Sequence, residues 1–441
     1  MVDGMDRYGF SSSSIKYSNP HWEGRKYIDK KFIERSIIHS LLDAIEQYRV
    51  VILYGPLGVG KTTLIHQVID RLSQDFNPSN ILYLPLDDPS YNPINVKNFY
   101  FNEVVKDASQ PIYIVLDEFL FLDGYRTYIR ELLSRGGDVR LILISSYKID
   151  DLNIPDVDYK VFNINPLSFL EFLNLSGYNI TAIPFDQYRV RDFYIENLDL
   201  VDTYMEYLVR GGFPRLTIEM ERHYVRGWIK NNVLDRIIYK IIPRIGRKRR
   251  PHIAESIFRV ICFDPGEAIN YNRLSDAVDK DIRTVSTYIN TLESAYLIRI
   301  LKHMVGRGKA GRKLPKIYPY NSAYPYSLYP DRFNYEDYLN SVVEGRIIQF
   351  LDIKYYMRRS SGVDILIWEA GNMYIPVYVK YVRRVSRRDV KRINNIAGRL
   401  KSKYGFVIVK ETLDFIHEDD VNIWVIPAWL FELIDFSPLY R

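Results

Sequence analysis

The chain has 441 residues, of which 47% are hydrophobic and 26% charged, a length and balance that predict two to four folded domains rather than disorder. Cys262 is the single cysteine, which excludes disulfide frameworks and cysteine metal clusters and is typical of a reducing compartment. Charged residues interrupt every apolar run before it reaches membrane-spanning length, and the opening MVDGMDRYGF lacks an export pattern, so we expect a cytoplasmic protein without a membrane partner.

A glycine-rich segment joins the first predicted strand to a helix. Val50–Tyr54 is an apolar, β-branched run typical of a buried strand, and residues 64–72 have the periodicity of an amphipathic helix. The sequence between them completes the G-x-x-x-x-G-K-[ST] pattern, in which backbone N–H groups and the helix dipole face a phosphate. We expect Lys61 to reach the β- and γ-phosphates of ATP and Thr62 to bind Mg²⁺, with an ordinary glycine-rich turn as the alternative. The predicted nucleotide loop consists of Gly55, Pro56, Leu57, Gly58, Val59, Gly60, Lys61, Thr62 and Thr63.

An acidic pair follows another buried-strand pattern, at residues 111–116. Asp117 is expected to hold Mg²⁺ and Glu118 to polarise the attacking water, which would make the domain a hydrolase and not only a nucleotide binder. A charged pair that merely caps a strand is the alternative. The next apolar run ends in Ser145 and Ser146, whose hydroxyls are predicted to sense the γ-phosphate unless they belong to an ordinary turn.

Basic charge is concentrated in one segment of the chain. Residues 240–313 contain 16 Lys and Arg against 7 Asp and Glu, a net charge of +9 compared with +6 for the whole chain. Such density is what binding to a phosphate backbone requires, although a solvated linker face is the alternative for the first of its two basic runs. The first run consists of Arg244, Arg247, Lys248, Arg249 and Arg250, of which the last four are predicted DNA contacts, and the second consists of Arg307, Lys309, Arg312 and Lys313.

Three helix patterns lie between the two basic runs. Residues 254–263 predict a first helix, and residues 273–278 predict a short second helix with Asn272 as its amino-terminal cap. A third helix is predicted to begin near Asp281, with one apolar face at helical spacing.

The opposite face of the third helix is polar. It carries Arg283, Thr287 and Asn290, which are side chains able to approach base edges or phosphates. With strands predicted at residues 298–302 and 316–318, this order predicts a winged helix-turn-helix whose wing is charged for double-stranded DNA. A winged helix used only for packing or for oligomer contacts is the alternative.

Four segments together resemble one protein family. They are GPLGVGKTTL at the nucleotide loop, IVLDEFLFL around the acidic pair, INPLSFLEFL at residues 164–173 and YLVRGGFPRL at residues 207–216. The family comprises archaeal-type P-loop ATPases, AAA-related and STAND-adjacent, that carry a C-terminal winged helix and a PD-(D/E)xK nuclease-like domain. The similarity extends over residues 25–430, and Leu57 is a departure because many relatives place Arg there.

The resemblance also assigns roles outside the nucleotide loop. It implies that Gly211, Gly212 and Pro214 form a lid turn that closes on the nucleotide. It further implies that Arg210 or Arg215 lies near the phosphates. Gly212 and Pro214 are therefore added to the predicted nucleotide site.

The C-terminal third resembles nucleases whose carboxylates and lysine bind a divalent metal and prepare water. Asp364 and Lys380 match the pattern on two predicted strands, and Glu344 lies on the preceding helix, but Tyr378 stands where the family has Glu. A phenol cannot replace a carboxylate as a ligand for a hard metal at neutral pH. We therefore expect Asp364 and Lys380 to form a structural pair and the domain to be catalytically inactive.

The predicted fold class is α/β. A P-loop NTPase core with a RecA/AAA-like parallel sheet is followed by a helical lid, a winged helix-turn-helix and a restriction-endonuclease-like α/β domain. The predicted divisions are an N-terminal tail at 1–24, the ATPase core at 25–165, the helical lid at 166–250, the winged helix at 251–318 and the nuclease-like domain at 319–441.

The expected function is ATP binding and hydrolysis, with ATP and Mg²⁺ as cofactors, coupled to the binding or remodelling of double-stranded DNA. One alternative is an ATP-gated transcriptional or defence regulator without motor activity, and another is a metal-dependent DNA nuclease with an ATPase gate. A homo-oligomer is also compatible with the sequence, with Arg135 or Arg140 as an arginine finger that one subunit offers to its neighbour.

Overall fold

The computed structural model describes residues 12–27, 35–105, 107, 109–149, 151–152, 157–216, 220–246, 250–305, 311, 313–358 and 363–440. The chain divides into two units, Met1–Asn165 and Pro166–Arg441. No helix within these described ranges is long and apolar enough to cross a membrane.

The first unit is built on a five-stranded sheet in which every strand pairing is parallel. The strands, in the order β2-β3-β4-β1-β5, are β1 (Val50–Tyr54), β2 (Ile81–Pro85), β3 (Ile112–Asp117), β4 (Val139–Ser145) and β5 (Tyr159–Asn163). The helices are α1 (Ser12–Ser18), α2 (Ile37–Gln47), α3 (Lys61–Asp75), α4 (Pro93–Phe99) and α5 (Tyr125–Leu133). β1 and β3 are buried along their whole length, as expected for apolar strands inside a parallel sheet. This architecture confirms the α/β P-loop NTPase fold predicted for the nucleotide-binding core.

The strand order brings three predicted functional segments to one edge of the sheet. β4 lies between β1 and β3, with Tyr54 opposite Ser145 and Leu116 opposite Leu143. The carboxyl ends of parallel strands meet at the same edge. The loops that follow β1, β3 and β4 therefore lie side by side.

Helix α3 starts earlier than its periodicity predicts. Its first residue is Lys61 and not residue 64, because Gly60 adopts a left-handed conformation with φ 91° that turns the chain directly into the helix. The apolar face of α3 includes Leu64, Ile65 and Val68, all buried. Lys61 thus has its position set by both the loop and the packed helix.

Residues 12–27 cover the edge of the sheet at β2. The side-chain amide of Asn19 donates to the Tyr83 carbonyl oxygen at 2.9 Å and accepts from the Tyr83 N–H at 2.7 Å, as a neighbouring strand would. The Trp22 indole N–H donates to the Ile81 carbonyl oxygen at 2.7 Å. An exposed strand edge invites pairing with other chains, and this segment closes it. The described part of the predicted N-terminal tail is therefore packed against the sheet.

The second unit contains a mixed eight-stranded sheet, in the order β13-β14-β12-β11-β10-β9-β7-β8, and a separate pairing of β15 with β6. Its strands are β6 (Ile183–Pro184), β7 (Ile298–His303), β8 (Lys316–Pro319), β9 (Tyr355–Arg358), β10 (Asp364–Ala370), β11 (Met373–Val379), β12 (Tyr404–Val409), β13 (Asp414–Glu418), β14 (Val421–Pro427) and β15 (Ile434–Asp435). Its helices are α6 (Phe169–Leu175), α7 (Gln187–Glu196), α8 (Leu200–Arg210), α9 (Arg222–Ile229), α10 (Ile242–Ile245), α11 (Pro251–Phe263), α12 (Tyr271–Val278), α13 (Ile282–Ser294), α14 (Ala323–Leu328), α15 (Glu336–Phe350), α16 (Arg387–Leu400) and α17 (Ala428–Phe431).

The predicted three helices and two strands at residues 251–319 are present as α11, α12, α13, β7 and β8. The second helix begins at Tyr271, so the predicted cap at Asn272 is wrong. Asn270 is the cap, because its side-chain oxygen accepts from the Arg273 N–H at 3.1 Å. β7 and β8 form an antiparallel hairpin, and β7 also pairs in parallel with β9. The hairpin is therefore a continuation of the large sheet.

Alternate residues of β10 pack on opposite faces of this sheet, as the twofold repeat of a strand requires. Leu366 belongs to a core that includes Tyr207 of α8 and Ile347 of α15. Ile365 belongs to a second core with Ile393 of α16. The sheet is thus buried on both sides.

Candidate functional site

The glycine-rich loop after β1 depends on three of its glycines. Gly58 and Gly60 have φ values of 86° and 91°, in the left-handed region that other residues rarely adopt. A Cβ atom on Gly55 would overlap the carbonyl oxygen of Ile164. Val59 is buried beneath the loop, whereas Gly58 is exposed. Substitution of any of these three glycines would change the path of the loop.

Lys61 directly follows the loop as the first residue of α3, and only 5% of the residue is exposed. Its Nζ donates to the carbonyl oxygens of Gly55 at 2.8 Å and Pro56 at 2.9 Å, and to the Ser146 hydroxyl at 2.8 Å. Burial lowers the pKa of Lys61, while the neighbouring Glu118 carboxylate opposes this shift. The lysine therefore belongs to a buried polar cluster and not to the solvated surface.

Asp117, at the end of β3, accepts two hydrogen bonds on one oxygen. The Thr62 hydroxyl donates to Oδ2 at 2.9 Å and the Tyr83 hydroxyl at 2.8 Å. Burial raises the pKa of Asp117, and these two hydrogen bonds partly counter that shift. The Thr62 and Asp117 oxygens together are the hard donors that Mg²⁺ prefers, and Mg²⁺ commonly takes its remaining ligands from water and substrate phosphates. The residues present therefore fit the predicted metal.

Glu118 occupies a strained turn directly after β3. Its φ is 53° and ψ is 46°, a left-handed conformation that costs free energy in any residue other than glycine. The Ser146 N–H donates to Oε2 at 3.0 Å, and the Ser146 hydroxyl donates to Oε1. Burial raises the pKa of Glu118, whereas the Lys61 charge and the Ser146 hydrogen bonds lower it. Glu118 is thus held in one orientation beside Lys61.

The two serines at the end of β4 have different surroundings. The Ser146 hydroxyl accepts from Lys61 and donates to Glu118, so it bridges the two charged groups. The Ser145 hydroxyl instead donates to the Tyr147 carbonyl oxygen at 2.9 Å, within the turn that follows the strand. The structure therefore brings Ser146 into the cluster, while Ser145 closes a local turn.

Tyr83 is a member of this cluster that the sequence analysis missed. It lies on β2, whose Pro85 stands opposite Asp117 in the parallel register. Because the strands are parallel and adjacent, the end of β2 lies beside the end of β3. A prediction of this strand order from the sequence would have been needed to place Tyr83 near Asp117. A single tyrosine in an apolar strand carries no motif.

The two predicted arginine fingers are in different positions. Arg140 donates to the Asp138 carboxylate and to the carbonyl oxygens of Ile45 and Glu46, so its guanidinium is used inside its own unit. Arg135 is exposed, with its guanidinium 4.0 Å from the centre of the Phe101 ring. Of the two, Arg135 is the one that a neighbouring subunit could reach.

The predicted lid turn lies in the second unit, where Gly211 and Gly212 have φ values of 62° and 67°. The Gly212 carbonyl oxygen accepts from the Leu167 N–H at 2.8 Å, and the Asn321 amide donates to the Gly211 carbonyl oxygen at 2.8 Å. Arg210 is buried and pairs with Glu206, while Pro214 is partly exposed. The nucleotide-binding role of this turn stays a prediction.

The predicted DNA-contacting residues fall into two groups. Arg247, Lys248, Arg249, Arg307, Lys309 and Arg312 lie outside the described residues. The described residues Arg250, Arg283, Thr287, Asn290 and Lys313 are all exposed. Arg283, Thr287 and Asn290 share one face of α13, because their spacing of four and three residues matches the helical repeat.

The predicted pair of Asp364 and Lys380 is wrong. Asp364 accepts two hydrogen bonds from Arg358, which is its cross-strand neighbour on β9, and also pairs with Lys316. Lys380 instead pairs with Asp389 at 2.8 Å. In the part of the chain that the structure covers, no group of three or more His, Cys, Asp or Glu side chains is arranged to hold a metal ion.

Comparisons with known proteins match two parts of the chain to families. Residues 47–173 match a family described as an AAA domain, and residues 201–328 match a domain of unknown function, DUF8612. The uncharacterized protein MJ1637 of Methanocaldococcus jannaschii is 21% identical over 414 residues, which is 87% of this chain and 86% of that protein.

Solved structures with a similar fold are more distant. The Walker-type ATPase PABY2304 of Pyrococcus abyssi has 12% identity and a TM-score of 0.41 over 69% of this chain and 97% of its own. The RuvB Holliday junction branch migration motor of Thermotoga maritima has 16% identity and a TM-score of 0.31 over 60% of this chain and 89% of its own. Neither superposition is close enough to carry a functional inference.

The AAA-domain match covers the glycine-rich loop, Lys61, Thr62 and the Asp117–Glu118 pair. The structure places these residues at one edge of a parallel sheet, within hydrogen-bonding distance of one another or of Ser146. Residues 47–173 therefore match a family described as an AAA domain, and the described residues in this range have the fold and the glycine-rich loop of a P-loop ATPase.

Proposed function

We propose that this protein binds ATP with Mg²⁺, hydrolyses it, and couples its nucleotide state to the binding of double-stranded DNA. The observation that supports hydrolysis is the bridge that Ser146 forms between Lys61 and Glu118. It holds a carboxylate in a fixed orientation beside the lysine that would bind phosphate. A protein that only binds nucleotide has no need of such a carboxylate.

Each side chain of the cluster has one role in this proposal. The loop N–H groups and Lys61 bind the phosphates, and Lys61 exchanges its carbonyl contacts for phosphate oxygens. The Thr62 and Asp117 oxygens are the donors that would hold Mg²⁺, which would neutralise phosphate charge when bound. Glu118 orients the attacking water and accepts its proton, while Ser146 holds the carboxylate in place.

The DNA part of the proposal is supported by charge and by exposure. Arg283, Thr287 and Asn290 present donors and acceptors on the exposed face of α13. Arg250 is exposed at the start of α11, and its N–H donates to the Tyr288 hydroxyl of α13 at 2.8 Å, which keeps this arginine beside the same helix. A helix with a polar exposed face and basic flanks fits a nucleic-acid groove.

The proposal is tested by ATP turnover with and without duplex DNA. Glu118→Gln should lower turnover by about 10²- to 10⁴-fold, the usual contribution of a general base, and leave ATP affinity nearly unchanged. Lys61→Ala should weaken both binding and turnover, because its ammonium contacts the phosphates. Glu196→Gln is the matched control, since Glu196 is exposed on α7. Normal turnover in Glu118→Gln would exclude the assigned mechanism.

The response to DNA separates the proposal from a nucleotide-gated regulator. Coupled remodelling predicts that duplex DNA raises turnover several-fold. A nucleotide-gated regulator predicts slow turnover that ignores DNA but a DNA affinity that changes between ATP and ADP. If neither turnover nor DNA affinity depends on the other ligand, the coupling proposal is wrong.

A further inference from the structure

A polar cavity of about 350 Å³ opens within the second unit, beside the ends of β10 and β11. Its lining includes Lys316, Glu344, Asp364, Tyr378 and Lys380. The lining also includes Glu336 and Asp337, which are exposed at the start of α15, whereas the side chains of Glu344 of α15 and Asp364 of β10 are each only 11% exposed. The cavity therefore collects the residue types that would bind a divalent metal in a nuclease.

The Lys316 ammonium lies between the two carboxylates. Its Nζ is 3.1 Å from Asp364 Oδ2 and 3.9 Å from Glu344 Oε2, and its side chain is only 8% exposed. The same Nζ lies 5.3 Å from the centre of the Tyr318 ring and 5.8 Å from that of Tyr356, so two aromatic rings complete the cage. The Tyr318 hydroxyl also donates to Glu344 Oε2 at 2.8 Å, which fixes that carboxylate.

The charges around Lys316 balance. Among the groups that form ion pairs at this point, Asp364 and Glu344 contribute two negative charges, and Lys316 and Arg358 contribute two positive ones. Burial raises the pKa of Asp364, but the Arg358 hydrogen bonds and the Lys316 charge outweigh it and lower the pKa overall. A divalent ion added to this set would leave two uncompensated positive charges in a largely buried space, which is costly.

Lys380 and Tyr378, the other two residues at positions of the nuclease pattern, interact with α16. Lys380 Nζ is drawn to Asp389 Oδ2, at 2.8 Å, on the first turn of α16. Tyr378 offers a phenol, whose ring lies 5.7 Å from the Arg392 guanidinium. Neither residue supplies the negative charge that a metal would need.

We propose that Lys316 is a built-in cation of this cavity, and that its ammonium takes the place between Asp364 and Glu344 that a divalent metal would otherwise occupy. Lys316 is the first residue of β8, so the acidic pair anchors the β7–β8 hairpin to α15 and β10 instead of binding metal. The proposal goes beyond the ATPase and DNA functions and does not depend on either of them.

The test is Mn²⁺ binding to the nucleotide-free full-length protein, measured by calorimetry and by the paramagnetic resonance signal of free Mn²⁺. The variants are Tyr378→Glu, which adds a third carboxylate, and Tyr378→Glu combined with Lys316→Met, which also removes the ammonium. We expect a new Mn²⁺ site only in the combined variant, since Lys316 excludes the ion from the single one. Asp364→Asn in the combined background should abolish the new site, which distinguishes it from Mn²⁺ bound at Thr62 and Asp117.

Three results would overturn the proposal. The first is that the natural sequence binds Mn²⁺ and that Asp364→Asn abolishes this binding. The second is that Tyr378→Glu alone gains an Mn²⁺ site that depends on Asp364. The third is a folded combined variant that gains no site. If the combined variant does not fold, the natural sequence and Tyr378→Glu still test the proposal. Mn²⁺ binding through Asp364 in either of these two proteins would contradict a lysine that fills the metal position. The absence of such binding in both would support it. A loss of ATP turnover in the same preparations would contradict the proposed ATPase function but not the proposal about Lys316.

Discussion

The hydroxyl of Ser146 is the group that joins the two charged residues of the nucleotide site. It accepts from Lys61 and donates to Glu118, and it is fully buried. Its position follows from the strand order, because β4 separates the strand that precedes Lys61 from the strand that ends in Asp117. A hydroxyl at the end of the middle strand is the group that can reach both sides.

The adjacent Ser145 provides a matched comparison for a prediction about Ser146. Ser146→Ala removes the bridge, and we expect turnover to fall about 10- to 100-fold, because Glu118 loses one of its two Ser146 hydrogen bonds and the fixed orientation it gives. Ser145→Ala removes only the two hydrogen bonds that its hydroxyl forms with the Tyr147 backbone in the turn, so turnover should stay within about twofold while stability falls by about 1–2 kcal/mol. Both are measured by steady-state ATP turnover and by urea unfolding.

The pH dependence of the same variants adds a second readout. In the proposed mechanism Glu118 acts in its ionised form. Because burial raises its pKa, the acid limb of turnover should then lie at higher pH than for an exposed glutamate. The Ser146 hydrogen bonds lower that pKa. Ser146→Ala should therefore move the acid limb to still higher pH, whereas Ser145→Ala should leave it in place. Equal shifts in the two variants would contradict the assignment of Ser146.

The positions of some site residues could be predicted from the sequence, and those of others could not. Lys61, Thr62, Asp117 and Glu118 stand within two motifs, so local spacing alone predicted that they would meet. Lys316 lies close to Asp364 and Glu344 only because a hairpin, a helix and a strand from separate parts of the chain converge. No spacing rule encodes such a contact. The structure was needed to find it.

Helix α8 ends in a turn whose two glycines serve packing within the second unit. Gly211 is the left-handed residue that caps the helix, and a Cβ there would overlap the Asn321 side chain and lie 2.7 Å from Ala323 Cβ. A Cβ on the next residue, Gly212, would overlap the backbone carbonyl oxygen of Leu167. The turn therefore joins three separate segments of the unit.

Gly211→Ala tests this packing directly. We expect a loss of roughly 1–3 kcal/mol in the free energy of unfolding, because the new methyl group must displace Asn321 and the left-handed conformation is strained in alanine. Gly227→Ala is the control, since Gly227 lies in α9 with open space around its Cβ position, and it should stabilise by roughly 0.5–1 kcal/mol. Urea unfolding measures both, and equal effects would show that the close packing at Gly211 does not contribute.

Element types were easier to predict than their ends or their partners. Apolar runs predicted β1, β3 and β4 because parallel strands are buried throughout. The starts of α3 and α12 were misplaced, since they depend on Gly60 and on the Asn270 cap. The parallel pairing of β7 with β9 was not predicted, because it joins strands about 50 residues apart that have no shared pattern.

At the scale of the whole molecule, basic charge and nucleotide chemistry lie in different units. The ATPase cluster belongs to Met1–Asn165, whereas α13 and its exposed polar face belong to Pro166–Arg441. ATP turnover and DNA affinity should therefore be separable by mutation. A variant of α13 should lose DNA binding while its basal turnover, measured without DNA, is unchanged.

The salt dependence of the proposed DNA binding would distinguish phosphate recognition from base recognition by the second unit. Arg250→Ala with Lys313→Ala should weaken binding to all duplexes and reduce the slope of log affinity against log salt by about 0.9 for each phosphate that is no longer neutralised. Arg283→Ala with Asn290→Ala should instead change the preference among sequences, at about 1–3 kcal/mol for each base whose hydrogen bonds to the protein are removed. Lys160→Ala is the control, because Lys160 is exposed on β5 of the other unit. If the variant at Arg250 and Lys313 keeps both its DNA affinity and its salt slope, these two residues do not contact DNA. If all three variants lose DNA affinity equally, the binding reflects overall charge and not the α13 surface.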